Sequence, residues 1–286
     1  MIQKIKIATI DLYNNEPNEG MRCIRDIVKE TSHYYSNQFP ADSNQSIEIQ
    51  YDVFDTRFKD EIPDLNYDIF ISSGGPGSPF EGEGTKWERD YFDLLEKIWS
   101  FNQTNDEKKK YIFFICHSFQ MMARFFQIGE VNQRFLKSFG VKQFSKTEDG
   151  QKDLILSELT NPLYAADIRQ WQVVNPDYNH LKELGAKILS WEVPEEENKD
   201  NPALGAVRIS NEIVGTQFHP EADPESMLYH FRQEERKDYI VNRYGEETYH
   251  EMIRWLEDPL KIKLTRKTVL PSFLKNAINE LTEIKV

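Results

Sequence analysis

The sequence predicts an α/β domain with a mostly parallel central sheet, and three observations indicate this. Short runs rich in β-branched and aromatic residues alternate with longer segments of helical spacing. Two of the apolar runs lead directly into a turn and a helix-like segment, as the strands of such sheets do. The chain has 286 residues, which is enough to bury a large core in one or two domains.

Four strands are predicted in the first half of the chain, at 4–12, 47–55, 67–73 and 111–116. Between the first two, apolar residues at helical spacing predict a helix, with Asn18 as its cap. The polar segment 36–46 connects this helix to the second strand. A second amphipathic helix is predicted over 87–99 from the spacing of Tyr91, Leu94, Leu95 and Ile98.

The second half contains four further strand candidates, which we expect to form a meander or an antiparallel addition to the sheet: 168–174, 186–193, 204–210 and 213–219. An acidic loop at 194–202 interrupts them. Asp223, Pro224 and Glu225 form a typical helix start, and the helix could extend toward Gly245. Two more helical patterns follow, around Met252 and around Phe273.

We therefore predict a domain over residues 1–231 and a helical C-terminal extension over residues 232–286. Apolar positions at helical spacing, among them Leu256 and Leu274, usually pack within their own chain, so we expect these helices to cover the core. Formation of a homodimer or docking of a synthetase are the alternatives.

Composition excludes several classes of protein. The chain carries 35 basic and 48 acidic residues, a net charge of −13, which argues against a nucleic-acid partner. Only Cys23 and Cys116 are present, so a disulfide framework is not expected and a reducing compartment is. The absence of a long apolar stretch predicts a cytoplasmic protein without a membrane partner. Four histidines lie outside the motifs described below and lack the spacing of metal ligands: His33, His180, His230 and His250. We therefore expect no metal and no other cofactor.

The first motif is SSGGPGSP, residues 72–79, directly after an apolar run. Its glycines permit unusual backbone dihedrals and its prolines stiffen the turn, so that backbone N–H groups can be directed at an anion. A plain βα turn is the alternative interpretation.

The second motif is YIFFICHSFQ, in which an apolar run ends at Cys116 and a helical segment begins. The amino end of a helix favours a thiolate, and a cysteine on such a turn has the placement of a nucleophile elbow. A small buried side chain without chemistry is the alternative.

The third motif is VGTQFHPEAD, which supplies His219 and, two residues later, Glu221. An imidazole can accept a thiol proton, and a carboxylate on its other nitrogen fixes the tautomer. Pro220 favours an extended backbone at His219, which suits a loop after a strand.

In content and order the three motifs resemble the class I (triad-type) glutamine amidotransferases, over roughly residues 4–231, and most closely the GMP-synthase-like amidotransferase domains. The resemblance implies a three-layer α/β sandwich. It also implies Cys116 as nucleophile, His219 as general base and acid, and Glu221 as the carboxylate that orients His219.

The same resemblance assigns an oxyanion hole to the backbone N–H groups of Gly75 and His117, and contact with bound glutamine to Gly77 and Gln120. Members of the family usually carry glycine two residues before and after the cysteine. Here these positions hold Phe114 and Ser118. The segment around Trp171 also differs, since family members often have histidine or asparagine there.

These observations predict an enzyme that releases ammonia from L-glutamine through a glutamyl thioester. No phosphate loop of the GxxxxGK[ST] type is present, so the ammonia would go to a synthetase on a separate chain or to a small-molecule acceptor. One alternative is a cysteine hydrolase of γ-glutamyl bonds with the same fold. The other, suggested by Phe114 and Trp171, is a weakly catalytic relative that acts as a binding or regulatory subunit. Association of the chain with itself is also left open.

Overall fold

The computed structural model describes residues 2–38, 46–194 and 201–282. Most of the polar connection at 36–46 and of the acidic loop at 194–202 lies outside these residues. The strands are β1 (Ile2–Asp11), β2 (Ser46–Asp55), β3 (Ile69–Ser72), β4 (Tyr111–Ile115), β5 (Glu130–Ser138), β6 (Val141–Lys146), β7 (Leu163–Ala166), β8 (Arg169–Val174), β9 (Lys187–Glu192), β10 (Leu204–Arg208) and β11 (Ile213–Thr216).

The helices are α1 (Gly20–Ser36), α2 (Thr56–Lys59), α3 (Lys86–Thr104), α4 (His117–Phe126), α5 (Glu148–Lys152), α6 (Tyr178–Leu184), α7 (Pro224–Phe231), α8 (Glu234–Tyr244), α9 (Glu246–Glu257) and α10 (Ile262–Thr282). None of the helices in the described ranges combines the length and the apolar character needed to cross a membrane.

A nine-stranded sheet forms the centre of the molecule, in the order β2-β1-β3-β4-β11-β10-β9-β6-β7. The strands from β2 to β11 are parallel, and the pairs from β11 to β7 are antiparallel. β3, β4 and β11 are buried along their whole length, as expected for parallel strands covered on both faces. The predicted α/β fold is confirmed. An antiparallel addition to its sheet is also present, but it contains β6 and β7, which are not among the predicted strands, and its first member β11 is parallel to β4.

Helices cover both faces of the sheet and make the sandwich three layers deep. On one face α1 and α10 pack against alternate residues of β1 and β4, including Ile7 and Phe113. On the other face α3 and α4 pack against the residues between them, including Ala8 and Phe114. Because successive side chains of a strand point to opposite faces, a continuous apolar run fills both layers.

The C-terminal helices pack within the chain. In α10 the Phe273 ring meets the Phe113 ring edge-on at 5.2 Å, and the Tyr35 hydroxyl of α1 donates to Asn279 Oδ1 at 2.6 Å. α8 and α9 form a smaller apolar cluster with Val141 and Phe231. This is the packing that the apolar spacing predicts, while the boundary at residue 231 stays a prediction.

Several expectations about local structure need correction. The single helix expected from Pro224 toward Gly245 is two helices, because α7 ends at Phe231 and α8 begins at Glu234. The strand β8 does not join the main sheet but pairs with β5 in a sheet of two strands. Asn18 lies before the helix start, yet its Oδ1 still accepts from the Met21 N–H at 2.9 Å.

Candidate active site

The three motifs meet at one edge of the sheet, where β3, β4 and β11 end side by side. Parallel neighbours bring their carboxyl ends together, so three segments far apart in sequence share one crevice. A cavity of about 730 Å³ opens there. It is lined by all seven residues that the resemblance assigns to the site: Gly75, Gly77, Cys116, His117, Gln120, His219 and Glu221.

Cys116 is held in a strained conformation at the start of α4. Its backbone has φ 51° and ψ −98°, a region that residues with side chains rarely adopt. The Cys116 N–H donates to Thr216 O at 2.8 Å, which ties the turn to β11. A strained turn between a strand and a helix is the backbone geometry of a nucleophile elbow, and Cys116 has it.

Ser118, one of the departures from the family pattern, anchors the elbow. Its hydroxyl donates to Ser72 O at 2.7 Å and accepts from the Ile115 N–H at 2.8 Å. The side chain is fully buried. Ser118 therefore joins the cysteine turn to the end of β3, where the glycine-rich loop begins.

His219 and Glu221 form a hydrogen-bonded pair beside the cysteine. His219 Nδ1 lies 2.8 Å from Glu221 Oε1, which leaves Nε2 for Cys116. The other oxygen of Glu221, Oε2, is buried and has no partner within the described part of the chain. Burial lowers the pKa of His219, but the negative charges of Cys116 and Glu221 outweigh this effect and keep its pKa well above the usual value.

A buried serine orients the peptide that carries the Gly75 N–H. The Ser73 hydroxyl donates to Gly74 O at 2.8 Å and accepts from the Leu12 N–H at 2.9 Å. Since the peptide is planar and trans, fixing the Gly74 carbonyl also fixes the Gly75 N–H in the opposite direction. This is how the chain prepares one of the two donors that the resemblance assigns to an oxyanion hole.

Arg57 of α2 secures the same loop from behind. Its Nη1 donates to Pro76 O at 2.8 Å and to Leu12 O at 3.1 Å, and only 4% of its side chain is exposed. Its single carboxylate partner among the described residues is Glu81, at 3.4 Å. Sequence reasoning missed Arg57, because nothing in the segment around it signals contact with a loop about twenty residues away.

The His117 ring is buried rather than exposed, and its Nε2 has no hydrogen-bond partner among the residues described. Burial, and next the positive charges of Arg57 and Arg124, lower the pKa of His117 to about 3. The ring is thus neutral at physiological pH. Only the backbone N–H of His117 has a place in the predicted chemistry.

Gln120 and Gly77 line the cavity next to the elbow. Gln120 Nε2 donates to Trp171 O at 3.0 Å, so this amide connects α4 to β8. Gly77 has φ +79°, which favours glycine. The Trp171 ring contacts the Phe80 ring at 5.5 Å, which makes an aromatic wall where family members often carry histidine or asparagine.

A buried ionic network supports β8 behind this wall. Arg169 Nη2 contacts Glu192 at 2.6 Å and its Nε contacts Asp167 at 2.9 Å, while Arg134 contacts Glu192 at 2.8 Å. Two cations and two carboxylates balance one another, as buried charges require. Sequence reasoning did not find this network, since its members come from three separate strands and a loop.

Tyr13 is a further cavity residue that sequence reasoning missed. A β-carbon added to Gly74 would lie 3.0 Å from the Tyr13 hydroxyl and 2.9 Å from His219 Cε1, which shows how closely these groups approach. Burial, and next the charges of Glu221 and Cys116, raise the pKa of Tyr13 well above its usual value, so the phenol stays protonated. Within the described ranges no group of three or more His, Cys, Asp or Glu side chains could hold a metal ion.

Comparison with known proteins agrees with the resemblance of the three motifs to the class I glutamine amidotransferases. The family model of the class-I glutamine amidotransferases matches residues 32–234, well over half of the chain. The chain therefore belongs to the class I glutamine amidotransferase family. No curated protein matches the chain.

Solved structures are similar in fold over nearly the whole chain. A glutamine amidotransferase from Thermotoga maritima aligns with a TM-score of 0.64 at 19% identity, covering 96% of this chain and 98% of that one. A glutamine amidotransferase from Methylobacillus flagellatus aligns with a TM-score of 0.59 at 12% identity, covering 100% of this chain and 98% of that one. The glutaminase domain of a Trypanosoma brucei CTPS, with bound acivicin, aligns with a TM-score of 0.53 at 12% identity, covering 99% of this chain and 95% of that one. At these identities the likeness concerns the fold.

Proposed function

We propose that the chain hydrolyses the side-chain amide of L-glutamine and releases ammonia, with Cys116, His219 and Glu221 as its catalytic triad. One observation carries the proposal: a strained cysteine at the start of α4 shares a cavity with a histidine whose Nδ1 is held by a buried carboxylate. This arrangement suits nucleophilic acyl transfer. Family membership supports the same chemistry.

In the first half-reaction, Cys116 Sγ attacks the γ-carbonyl carbon of glutamine, and the thiol proton resides on His219. The carbonyl oxygen becomes an oxyanion, which the N–H groups of Gly75 and His117 stabilise. The C–N bond then breaks, His219 delivers its proton to the departing nitrogen, and ammonia leaves. The γ-glutamyl group remains on Cys116 as a thioester.

In the second half-reaction, water attacks the thioester and gives up a proton to His219. The C–S bond breaks, glutamate leaves, and the Cys116–His219 pair is restored. Glu221 keeps Nε2 of His219 directed at the sulfur throughout, because Nδ1 donates to Oε1 across 2.8 Å. Gly77, Gln120 and Trp171 would hold the rest of the glutamyl group.

The ammonia has two proposed destinations, a synthetase on a separate chain and a small-molecule acceptor. Both cysteines are unpaired, which suits the reducing interior of a cell, and we propose a cytoplasmic location. Self-association is a proposal as well.

Hydrolysis of larger γ-glutamyl amides is a second candidate. The cavity continues beyond the triad to residues of α7 and α8, which is more space than ammonia needs. A weakly catalytic binding subunit is less well supported. Phe114 and Trp171 suggest that alternative, but the strained backbone at Cys116 is retained despite Phe114.

The test is release of ammonia and glutamate from L-glutamine, with Cys116→Ala as the inactive variant and Cys23→Ala as its matched control. We expect turnover in the wild type and in Cys23→Ala, and none in Cys116→Ala. Labelling by a glutamine-like electrophile should follow the same pattern. Equal turnover in Cys116→Ala, or absence of both turnover and labelling in the wild type, would overturn the proposal.

A further inference from the structure

A short link of buried charge connects the main sheet to the sheet of two strands. β7 ends at Ala166 and β8 begins at Arg169, so only Asp167 and Ile168 lie between the two strands. Asp167 is fully buried, and Arg169 is only 4% exposed. Buried charges require close partners, so the contacts of this link determine where its backbone can lie.

The peptide between Ala166 and Asp167 is held on both sides. Its carbonyl, that of Ala166, accepts from the His219 N–H at 2.9 Å, and its N–H, that of Asp167, donates to Gly140 O at 2.9 Å. Since the peptide is planar and trans, the two hydrogen bonds leave one rigid unit in opposite directions. The backbone of His219 is therefore tied through this peptide to the turn after β5.

The carbonyl of the next residue but one lies against the nucleophile. The Ile168 carbonyl oxygen is 3.9 Å from Cys116 Sγ. Asp167 and Arg169 flank Ile168 and bond to each other, with Arg169 Nε 2.9 Å from Asp167 Oδ1. Because this ion pair closes over a single residue, it restricts the backbone of Ile168 and so the direction of the Ile168 carbonyl.

Three further groups hold the ion pair in place. The Ser138 hydroxyl donates to Asp167 Oδ2 at 2.6 Å, and Arg169 Nη2 donates to Glu192 Oε2 at 2.6 Å. Arg134 Nη1 donates to the same oxygen of Glu192 at 2.8 Å. These groups come from β5 and β9, so the link cannot shift without breaking buried charge-assisted hydrogen bonds.

We propose that the Asp167–Arg169 ion pair positions the two reacting groups against each other, His219 through the Ala166 carbonyl and Cys116 through the Ile168 carbonyl. The inference rests on the proposed function. Proton transfer between sulfur and imidazole requires hydrogen-bond reach, and a displacement of about 1 Å can slow an enzyme by about a hundredfold. Asp167 and Arg169 are thus positioning residues, and their loss should slow the reaction more than it weakens binding of glutamine.

Two variants with opposite changes of charge test the proposal. Asp167→Asn removes a negative charge and Arg169→Gln a positive one, and each leaves the ion pair without one of its members. We expect both to lower kcat for L-glutamine by about tenfold or more and to change KM by less than about twofold. Ser138→Ala, which removes only one hydrogen bond from Asp167, is a milder variant for the case that these do not fold, and it should lower kcat by about threefold.

The pKa of His219 separates positioning from a direct effect of charge. Burial lowers this pKa, and the charges of Cys116 and Glu221 raise it. If His219 and Cys116 move apart, proton NMR titration should give a lower pKa for His219 in both variants. A direct effect of charge would lower this pKa in Asp167→Asn and raise it in Arg169→Gln.

Asp153→Asn is the matched control, because Asp153 belongs to a second buried ion pair. Arg208 Nη2 lies 2.8 Å from Asp153 Oδ1. Arg208 faces Val214 near the start of β11, whereas the site lies beyond the end of that strand. This control should lose stability in urea unfolding, as Asp167→Asn does, and should keep the kcat and the His219 pKa of the wild type.

The possible failures are distinguishable. An equal fall of kcat in Asp153→Asn and Asp167→Asn would mean that the ion pair acts through stability alone and would overturn the inference. Opposite shifts of the His219 pKa, an unchanged kcat in Ser138→Ala, or a raised KM with unchanged kcat in Arg169→Gln would overturn it too. In these cases Cys116-dependent turnover by the wild type leaves the proposed function intact. Absence of turnover and labelling in the wild type would remove the proposed function and the inference together.

Discussion

Gly215 of β11 lies directly opposite Phe114 of β4, and the missing side chain of Gly215 makes room for the large one. A β-carbon on Gly215 would lie 3.0 Å from the Phe114 β-carbon and 2.9 Å from the Phe119 ring. Phe114 stands where the family usually has glycine. The space is therefore provided by the neighbouring strand, and the cysteine turn keeps its strained geometry.

We predict that Gly215→Ala destabilises the protein by about 1–3 kcal/mol, because the added methyl group overpacks a filled core. Urea unfolding measures the change. The matched double variant Gly215→Ala, Phe119→Leu should recover part of the loss, since the added β-carbon would lie 2.9 Å from the Phe119 ring, which leucine lacks. Strictly additive losses would contradict this interpretation.

Arg57→Met should lower kcat for glutamine by about tenfold or more and change KM little, because the loop with the Gly75 N–H loses its support. Arg57→Lys should retain part of the activity, and added guanidinium should restore part of it in Arg57→Met. Lys59→Met, on the same helix and paired with Asp55 at 3.5 Å, is the control. An unchanged kcat in Arg57→Met would refute a positioning role.

His117 should make the protein sensitive to acid. Its pKa is about 3 in the folded state and near 6.5 when unfolded, so the unfolded state binds the proton first as pH falls below 6.5. This contribution to stability is complete above pH 6.5 and falls by about 2 kcal/mol between pH 7 and pH 5.

His117→Gln keeps the backbone N–H and removes the titrating ring, so its stability should decline less toward pH 5 than that of the wild type. Urea unfolding at the two pH values measures this, with His250→Gln at an exposed position as control. Identical declines in wild type and His117→Gln would show that the ring is not responsible.

His219 should have the opposite pH dependence. Its pKa is raised in the folded state, so its contribution to stability is complete below the unfolded value near 6.5 and is lost as pH rises through the folded value. Glu221→Gln removes one of the charges that raise it. The variant should therefore lose less stability than the wild type above pH 6.5, and a proton NMR titration should give a lower pKa for His219. An unchanged pKa would contradict the assigned cause.

Much of the fold could be predicted because its signals are local. β3, β4 and β11 are continuous apolar runs, and the turns after β3 and β4 follow them directly. β5 was not predicted because most of its residues are exposed or half-buried and no apolar run marks it. The break between α7 and α8 was missed because the helical pattern continues across it.

The sequence by itself determined the order of the motifs and the chemistry that their residue types allow. The parallel pairing of β11 with β4, which brings the third motif beside the other two, was decided by the tertiary structure. Only the tertiary structure decided that Gly215 accommodates Phe114, that the His117 ring is buried, and that Arg57 supports the glycine-rich loop. It also decided that the cavity reaches α7 and α8. The physical reason is range: strand propensity and turn chemistry act between near neighbours in the chain, whereas packing, burial and buried charge depend on segments that folding alone brings into contact.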